Sequence, residues 1–375
     1  MQRPLDESIT LYQINMKSKI CLILPCNLYV IPYFKVYENM FNEMGITYDI
    51  ITWNRSLIKE ECAGNIISYD IKDIANNKDV TKIWKYIGFY KFVRKNITNH
   101  DYEKLVFLDT SACTLVLLNG FLAKYYKNRY WVDIRDYSFE NFWLYKKMLE
   151  TALKNSFCYD ISSRGFLEFL PHVNGYCVTH NIDRETINRV KRLPKISDDA
   201  IRISFIGNVR YYDLNVELVE AFKNDNRFRL QFYGTESEKI HNYCVENKIF
   251  NVDFEGRFPY ENTALFYQKT DVINNIYGNE TMEVSTALSN KLYYSAYLNK
   301  PILVSNHTYM SELVTQYDLG FVVDFDSGNL ADRIYDWYIK RLTKENNKRI
   351  EFIKIVENEF RNYQNKFRSF ILLKG

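Results

Sequence analysis

Lys291 sits one place inside an expected helix, directly behind Ser289 and Asn290. Ser289 is a good N-cap, because its hydroxyl can accept from the free amides of the first turn. The helix is expected to run to about Leu298, turn at Asn299-Lys300-Pro301 and feed a buried strand over Pro301–Ser305. A helix N-terminus offers unpaired N–H groups and a partial positive charge. A lysine in the first turn opposes that charge unless an anion is seated at the helix end. Phosphate or diphosphate is the anion this arrangement fits. A solvated lysine on an ordinary helix fits the segment equally well.

Two other places carry groups of the same kind. The expected strand Arg202–Ile206 ends in Gly207-Asn208-Val209-Arg210. Glycine after a strand lets the backbone approach a ligand closely, and Arg210 can fork onto phosphate oxygens. One glycine is not a G-x-G-x-x-G fingerprint, and a surface arginine on a plain strand–turn–helix reads the same way. Asp133, Arg135 and Asp136 lie at and just past the expected strand Tyr130–Ile134. Asp136 could orient or deprotonate an incoming hydroxyl. For Asp133 and Arg135 the favoured reading is an ion pair that braces the loop. The five histidines, at 100, 172, 180, 241 and 307, show no metal-ligand spacing.

The elements that must position these residues follow from hydrophobic periodicity. In the first half, strands are expected at 19–25, 48–53, 104–109, 130–134, 158–162 and 175–179, with helical patterns at 31–44, 80–97, 114–126 and 140–154. In the second half, strands are expected at 202–206, 229–233, 252–255, 272–275, 301–304 and 320–324. Repeated βα units with near-continuous apolar strands indicate parallel sheets covered on both faces. The alternation restarts after Arg189–Asp199, a charged segment with Pro194 that reads as a linker. The expectation is an α/β protein of two doubly wound domains. Polar helices over 344–370 carry Ile350, Ile353, Phe360, Tyr363 and Phe367, and are expected, with Tyr338 and Leu342, to pack across both domains.

Composition sets outer limits. The chain has 375 residues, enough for two cores. Its net charge of +3 is too small to imply nucleic-acid binding. The seven cysteines are odd in number and include no C-x-x-C, which argues for reduced thiols in a cytoplasmic protein. No apolar run reaches the roughly 18 residues that span a bilayer, and no signal peptide is expected. The basic, aromatic segment 82–95 fits either docking on an anionic membrane or a core helix with snorkelling lysines.

Taken in order, Gly207/Arg210, Gly234, Phe254/Gly256/Pro259, Asp271, Ser289-Asn290-Lys291-Leu292 and Lys300-Pro301 form a series. It resembles the C-terminal half of the family 4, or group 1, glycosyltransferases with the GT-B fold. That half carries two strands ending in glycine, an F-x-G-x-x-P element, an a-D-v strand and a P-N-K-L-x-E-Y…G-K-P helix and strand. The first half resembles the same family more faintly. Tyr33, Tyr37 and Tyr48-Asp49-Ile50, leading to Trp53-Asn54-Arg55, are similar to a Y-D-x-I-x-W-D-R element of capsule and exopolysaccharide transferases. Trp131–Asp136 resembles their D-x-R-D loop. Ser162–Phe166 with His180–Asp183 resembles their S-x-G-F…H-N-x-D lead-in. There are two departures. Tyr294 occupies the place of a glutamate that contacts the nucleotide ribose, with neither Glu280 nor Glu283 matching it, and Cys26-Asn27-Leu28-Tyr29 replaces a glycine-rich loop.

The resemblance implies an acceptor-side domain over 1–190, a nucleotide-sugar-binding domain over 200–343 and C-terminal helices over 344–375, with a cleft between the domains. It implies transfer of a sugar from a nucleotide donor, UDP being the expected base carrier, to a glycan or polyprenyl-linked acceptor in capsule or other cell-surface polysaccharide synthesis. Donor-binding residues would be Gly207, Asn208, Arg210, Gly234, Arg257, Glu283, Ser289, Asn290 and Lys291. Arg210 and Lys291 would stabilise the leaving diphosphate, and Asp136 would assist the acceptor. The anomeric configuration would be retained and no metal or other cofactor used. The protein would be cytoplasmic, peripheral at most to the membrane. A sugar-nucleotide 2-epimerase of the same fold and a nucleotide-sugar-binding protein without turnover are the alternatives.

Overall fold

The structure, a computed structural model, describes residues 19–73, 81–114, 116–194 and 199–373; the side chains of 81–83 and 116–119 are outside that description. The first eighteen residues, Val80 and positions 195–198 of the expected linker therefore lie outside the described residues. There are two all-parallel sheets. The first has seven strands: β1 (Ile20–Leu24), β2 (Asp49–Trp53), β3 (Asn65–Tyr69), β4 (Lys104–Phe107), β5 (Tyr130–Ile134), β6 (Cys158–Ile161) and β7 (Tyr176–Val178), in the order β3-β2-β1-β4-β5-β6-β7. The second has six: β8 (Ile201–Ile206), β9 (Phe228–Tyr233), β10 (Val252–Glu255), β11 (Val272–Asn275), β12 (Ile302–Ser305) and β13 (Gly320–Val323), in the order β10-β9-β8-β11-β12-β13. Both sheets reverse direction of growth at their first strand. Each thus has a switch point, β1/β4 in one and β8/β11 in the other, where loops part and ligands bind in such sheets.

The chain forms two compact units. One holds the described residues up to Ile161, Phe169–Val178 and those from Arg361; the other holds Ser162–Glu168 and Thr179–Phe360. Arg184–Arg192, which overlaps the first residues of the expected linker Arg189–Asp199, is a helix capped by Asp183, and its Ile187 and Val190 are buried in the second unit's core. The helix Asn347–Leu372 runs unbroken for 26 residues. Its Phe352 and Val356 join the core of the second unit, while Tyr363 and Phe367 pack on Tyr37 and Trp131 of the first. Leu342 and Ile350, expected to pack, are exposed instead.

In the second unit the strand side chains divide between two cores. One face lies under the helices Arg184–Arg192, Thr263–Lys269, Asn290–Leu298 and Tyr309–Gln316. The other lies under Tyr212–Ala221, Glu238–Glu246 and Leu330–Leu342. β8 is buried at all six positions, as a central strand covered on both faces must be. In the first unit, Phe89, Tyr90, Val93 and Ile97 of the helix Thr81–His100 are buried. Of the described side chains of the aromatic run over 82–95, Phe89, Tyr90 and Val93 enter the core, while Trp84, Lys91, Arg94 and Lys95 are exposed.

Candidate functional site

At the carboxyl ends of β8 and β9 the backbones nearly touch. A Cβ added to Gly234 would lie 1.8 Å from the Gly207 carbonyl oxygen, and φ at Gly234 is +136°. Only glycine fits there. Beside this pair the helix Asn290–Leu298 begins as its sequence dictates. Ser289 Oγ accepts from the Lys291 N–H at 3.2 Å, and Asn299 ends the helix in the left-handed conformation, φ 53°.

Lys291 is buried, 5% exposed. Its ammonium donates to the Tyr277 hydroxyl at 2.7 Å and lies 4.6 Å from the Phe205 ring centroid. No carboxylate of the described residues lies within ion-pair distance of it. A buried cation without a counter-ion is costly, and here it stands at a helix N-terminus beside a switch point. The place that a Cβ would take on Gly207 is 4.0 Å from its Nζ.

Two cavities are lined by neighbours of this group. One, of about 150 Å³, is lined by Arg210, Tyr211, Asn275, Tyr277, Glu283, Ser289, Ser305 and Thr308, among others. The other, of about 330 Å³, is lined by Gly207, Gly234, Thr235, Arg257, Tyr260, Tyr267, Asn290 and Tyr294, among others. The larger hollow of about 510 Å³ lies at the amino ends of the strands, beside Asp271, Pro301 and Asp318. Its two carboxylates are already paired, with Arg202 and Arg341, so it carries no comparable chemistry.

Most of the expected donor residues are thus brought together: Gly207, Arg210, Gly234, Arg257, Glu283, Ser289, Asn290 and Lys291 lie at these cavities or, for Lys291, beside both. Asn208 is not among the lining residues. Its side chain is exposed and accepts from the Thr235 hydroxyl at 3.2 Å. Asp136 is exposed in the first unit. Its neighbours Asp133 and Arg135 form a buried ion pair at 2.6 Å, with Tyr37 donating to Asp133 at 2.7 Å. His180 is buried and bonded to Tyr293 and Glu359, a bracing role in the second unit.

Tyr294, in the glutamate's place, finds a carboxylate elsewhere. Its hydroxyl donates to Asp183 Oδ2 at 2.6 Å, Tyr260 donates to the same oxygen, and the Thr186 N–H donates to Oδ1 at 3.0 Å. Burial pushes the Asp183 carboxyl up, but these three donors outweigh it and hold the group below the usual carboxylate range. Burial, with the same contact behind it, pushes the Tyr260 hydroxyl up to about 12. The Tyr294 ring stacks on Tyr267 with centroids 4.1 Å apart. Asn275 and Tyr277 escaped the sequence reading. The paired asparagines closing β11, Asn274-Asn275 in an otherwise apolar strand, are the signal that could have found the first.

No family model matches the sequence, and no curated protein is significantly similar to it. Solved structures are similar in fold. Sucrose-phosphate synthase from Thermosynechococcus elongatus superposes with a TM-score of 0.66 at 13% identity, over 94% of this chain and 99% of that one. HepE from Anabaena in complex with UDP gives 0.64 at 12%, over 94% and 100%. UDP-GlcNAc 2-epimerase from Neisseria meningitidis, bound to UDP-GlcNAc, gives 0.56 at 13%, over 93% and 100%. With its two parallel Rossmann-like sheets of seven and six strands, the chain has the GT-B fold.

Proposed function

We propose that the protein is a glycosyltransferase. It takes a sugar from a nucleotide donor, UDP-linked by preference, and passes it to a glycan or lipid-linked acceptor in cell-surface polysaccharide assembly. The observation that carries this reading is Lys291, a buried ammonium with no carboxylate partner among the described residues, at a helix N-terminus on the β8/β11 switch point. A diphosphate supplies the missing charge. As the bond to the sugar breaks, negative charge grows on the leaving diphosphate. Lys291, Arg210 and the first amides of the helix are fixed donors for it, and fixed donors need no reorganisation in the transition state. They do the work a metal does in other transferases, so no metal is required. The sugar passes through an oxocarbenium-like state, with retention of configuration.

The larger of the two cavities suits the nucleoside. Gly207 and Gly234 keep its wall flat, Tyr267 and Tyr294 give it an aromatic side, and the hydroxyls that Asp183 holds offer polar contacts for a ribose. On the acceptor side, Asp136 assists the attacking hydroxyl. Two solved relatives in fold are recorded with UDP or a UDP-sugar, which supports the choice of donor.

The test is calorimetric titration of UDP, GDP and dTDP in the presence of a chelator, followed by product analysis with the sugar nucleotide that binds. Glycosylated acceptor supports the proposal. An epimerised donor would favour the 2-epimerase reading, and an intact donor a binding protein without turnover. Failure of all three nucleotides to bind would end the donor-site assignment.

A further inference from the structure

Asn274 and Asn275 close β11 side by side, yet their amides are treated differently. Asn274 is satisfied: its Nδ2 donates to Asn215 Oδ1 at 3.1 Å and its Oδ1 accepts from the Ile276 N–H at 3.0 Å. Asn275 is 3% exposed and lines the cavity of about 150 Å³. Its Nδ2 faces the Met310 sulfur at 3.3 Å, and its carbonyl oxygen has no hydrogen-bond partner among the described residues. A thioether carries no proton and can only accept, weakly, so the amide is rightly oriented with its N–H toward sulfur. A buried acceptor left unmade costs stability that an apolar side chain of the same size would not. It is explained if something that enters the cavity donates to it.

The surrounding wall narrows what that is. Glu283 presents a carboxylate. Ser305 Oγ already accepts from the Gly278 N–H at 2.8 Å, which leaves its own proton free to donate outward. The cavity therefore offers acceptors and adaptable hydroxyls, those of Tyr277, Ser289 and Ser305 among them, next to the cation pair Arg210 and Lys291. A diphosphate alone has no proton to give Asn275. A hydroxylated ring attached to it does.

We propose that Asn275 is a specificity-determining residue whose carbonyl oxygen accepts a hydrogen bond from one hydroxyl of the sugar carried by the diphosphate. This rests on the nucleotide-sugar reading of the site. A site built to bond a hydroxyl rejects analogues that lack it far more strongly than an apolar pocket discriminates by size.

The experiment compares UDP with a panel of UDP-hexoses by calorimetry, in the wild type and in Asn275→Leu, which keeps the γ-branched shape and removes the acceptor. UDP should bind both proteins equally. The UDP-hexose that the wild type prefers should bind the variant roughly tenfold more weakly. Equal affinity of that sugar nucleotide for both proteins overturns the role of Asn275 while leaving the donor site intact. Loss of UDP binding in the variant to the same degree also overturns it, because the residue then acts on the diphosphate or the fold. A wild type that binds neither UDP nor any UDP-hexose ends the underlying reading, and the inference with it. A second measurement needs no variant. Singly deoxygenated forms of the preferred sugar nucleotide, titrated into the wild type, should include one that loses roughly tenfold; a series in which none loses affinity overturns the proposal.

Discussion

Lys291 shows how far single residues can be read. Its place behind Ser289 announced a helix N-terminus, and the structure puts Ser289 in the cap. What the sequence could not decide was whether the ammonium met water or protein. The burial of Lys291 against Tyr277 and Phe205 answers that. Two effects of its removal then have opposite signs. Lys291→Met abolishes the attraction for the diphosphate, and truncating one partner of a buried charge pair costs about 2–5 kcal/mol. Nucleotide binding should fall well over tenfold by calorimetry. The same change relieves a desolvated charge, so the melting temperature of the free protein should hold or rise. Wild-type affinity in this variant would remove Lys291 from the site. Glycines give a second residue-scale contrast. Gly234→Ala forces a methyl against the Gly207 carbonyl at a positive φ, and should destabilise by about 1–3 kcal/mol or more in urea melts. Gly120→Ala, in a helix with nothing within 4 Å of the new carbon, should instead stabilise by about 0.5–1 kcal/mol. Asn275 stayed illegible because no local pattern distinguishes a satisfied asparagine from an unsatisfied one. That depends on Met310, which arrives 35 residues later.

At the scale of elements, periodicity located the apolar strands, because strands buried on both faces are nearly continuous apolar runs. The longer helices of the first half were legible too, but of the second half's helices before residue 344 the clear one was that beginning at Asn290. β3 was missed for the converse reason. Asn65–Tyr69 is an edge strand, only partly buried, and reads as weakly as it packs. The C-terminal helix was legible as a helix, but its buried positions were not all legible, since its two halves face different cores. Phe352 and Val356 serve one. Phe367 serves the other, fully buried against Tyr37, Phe41 and Trp131. Phe367→Ala should therefore cost about 3–5 kcal/mol. Trp131 fluorescence during denaturant unfolding is the measurement, since that ring lies in edge contact with Phe367. A loss under 1 kcal/mol would mean that the helix end does not belong to that core.

At the scale of the whole molecule, the two units hold buried or half-buried carboxyls of opposite character. In the first, Asp160 is fully buried beside Asp133. Burial, then the charge and hydrogen bond of Asp133, push its carboxyl well above the usual range, despite Arg135 and a hydrogen bond from Trp131. Burial raises Asp109 and Glu140 in the same unit. In the second, Asp183 and Glu359 are held low: hydrogen bonds from Tyr260 and Tyr294 to the one, and from His180 and Arg164 to the other, outweigh burial. A raised carboxyl binds its proton better folded than unfolded. Its contribution is complete below the ordinary carboxylate pKa, about 4, and is lost as pH rises through the higher folded value. A lowered carboxyl contributes above about 4 and loses that contribution as pH falls through the lower folded value. The units should therefore separate on a pH scale. Hydrogen exchange in β8, β11 and β12 should quicken first on acidification, while β1, β4 and β5 hold or gain protection. Raising the pH from about 5 to 9 should weaken β1, β4 and β5, and Asp160→Asn, which keeps an acceptor for Trp131 and offers Asp133 an N–H, should flatten that slope. Parallel loss of protection in both sheets on acidification, or an unchanged slope in Asp160→Asn, would show that these buried carboxyls do not govern the response.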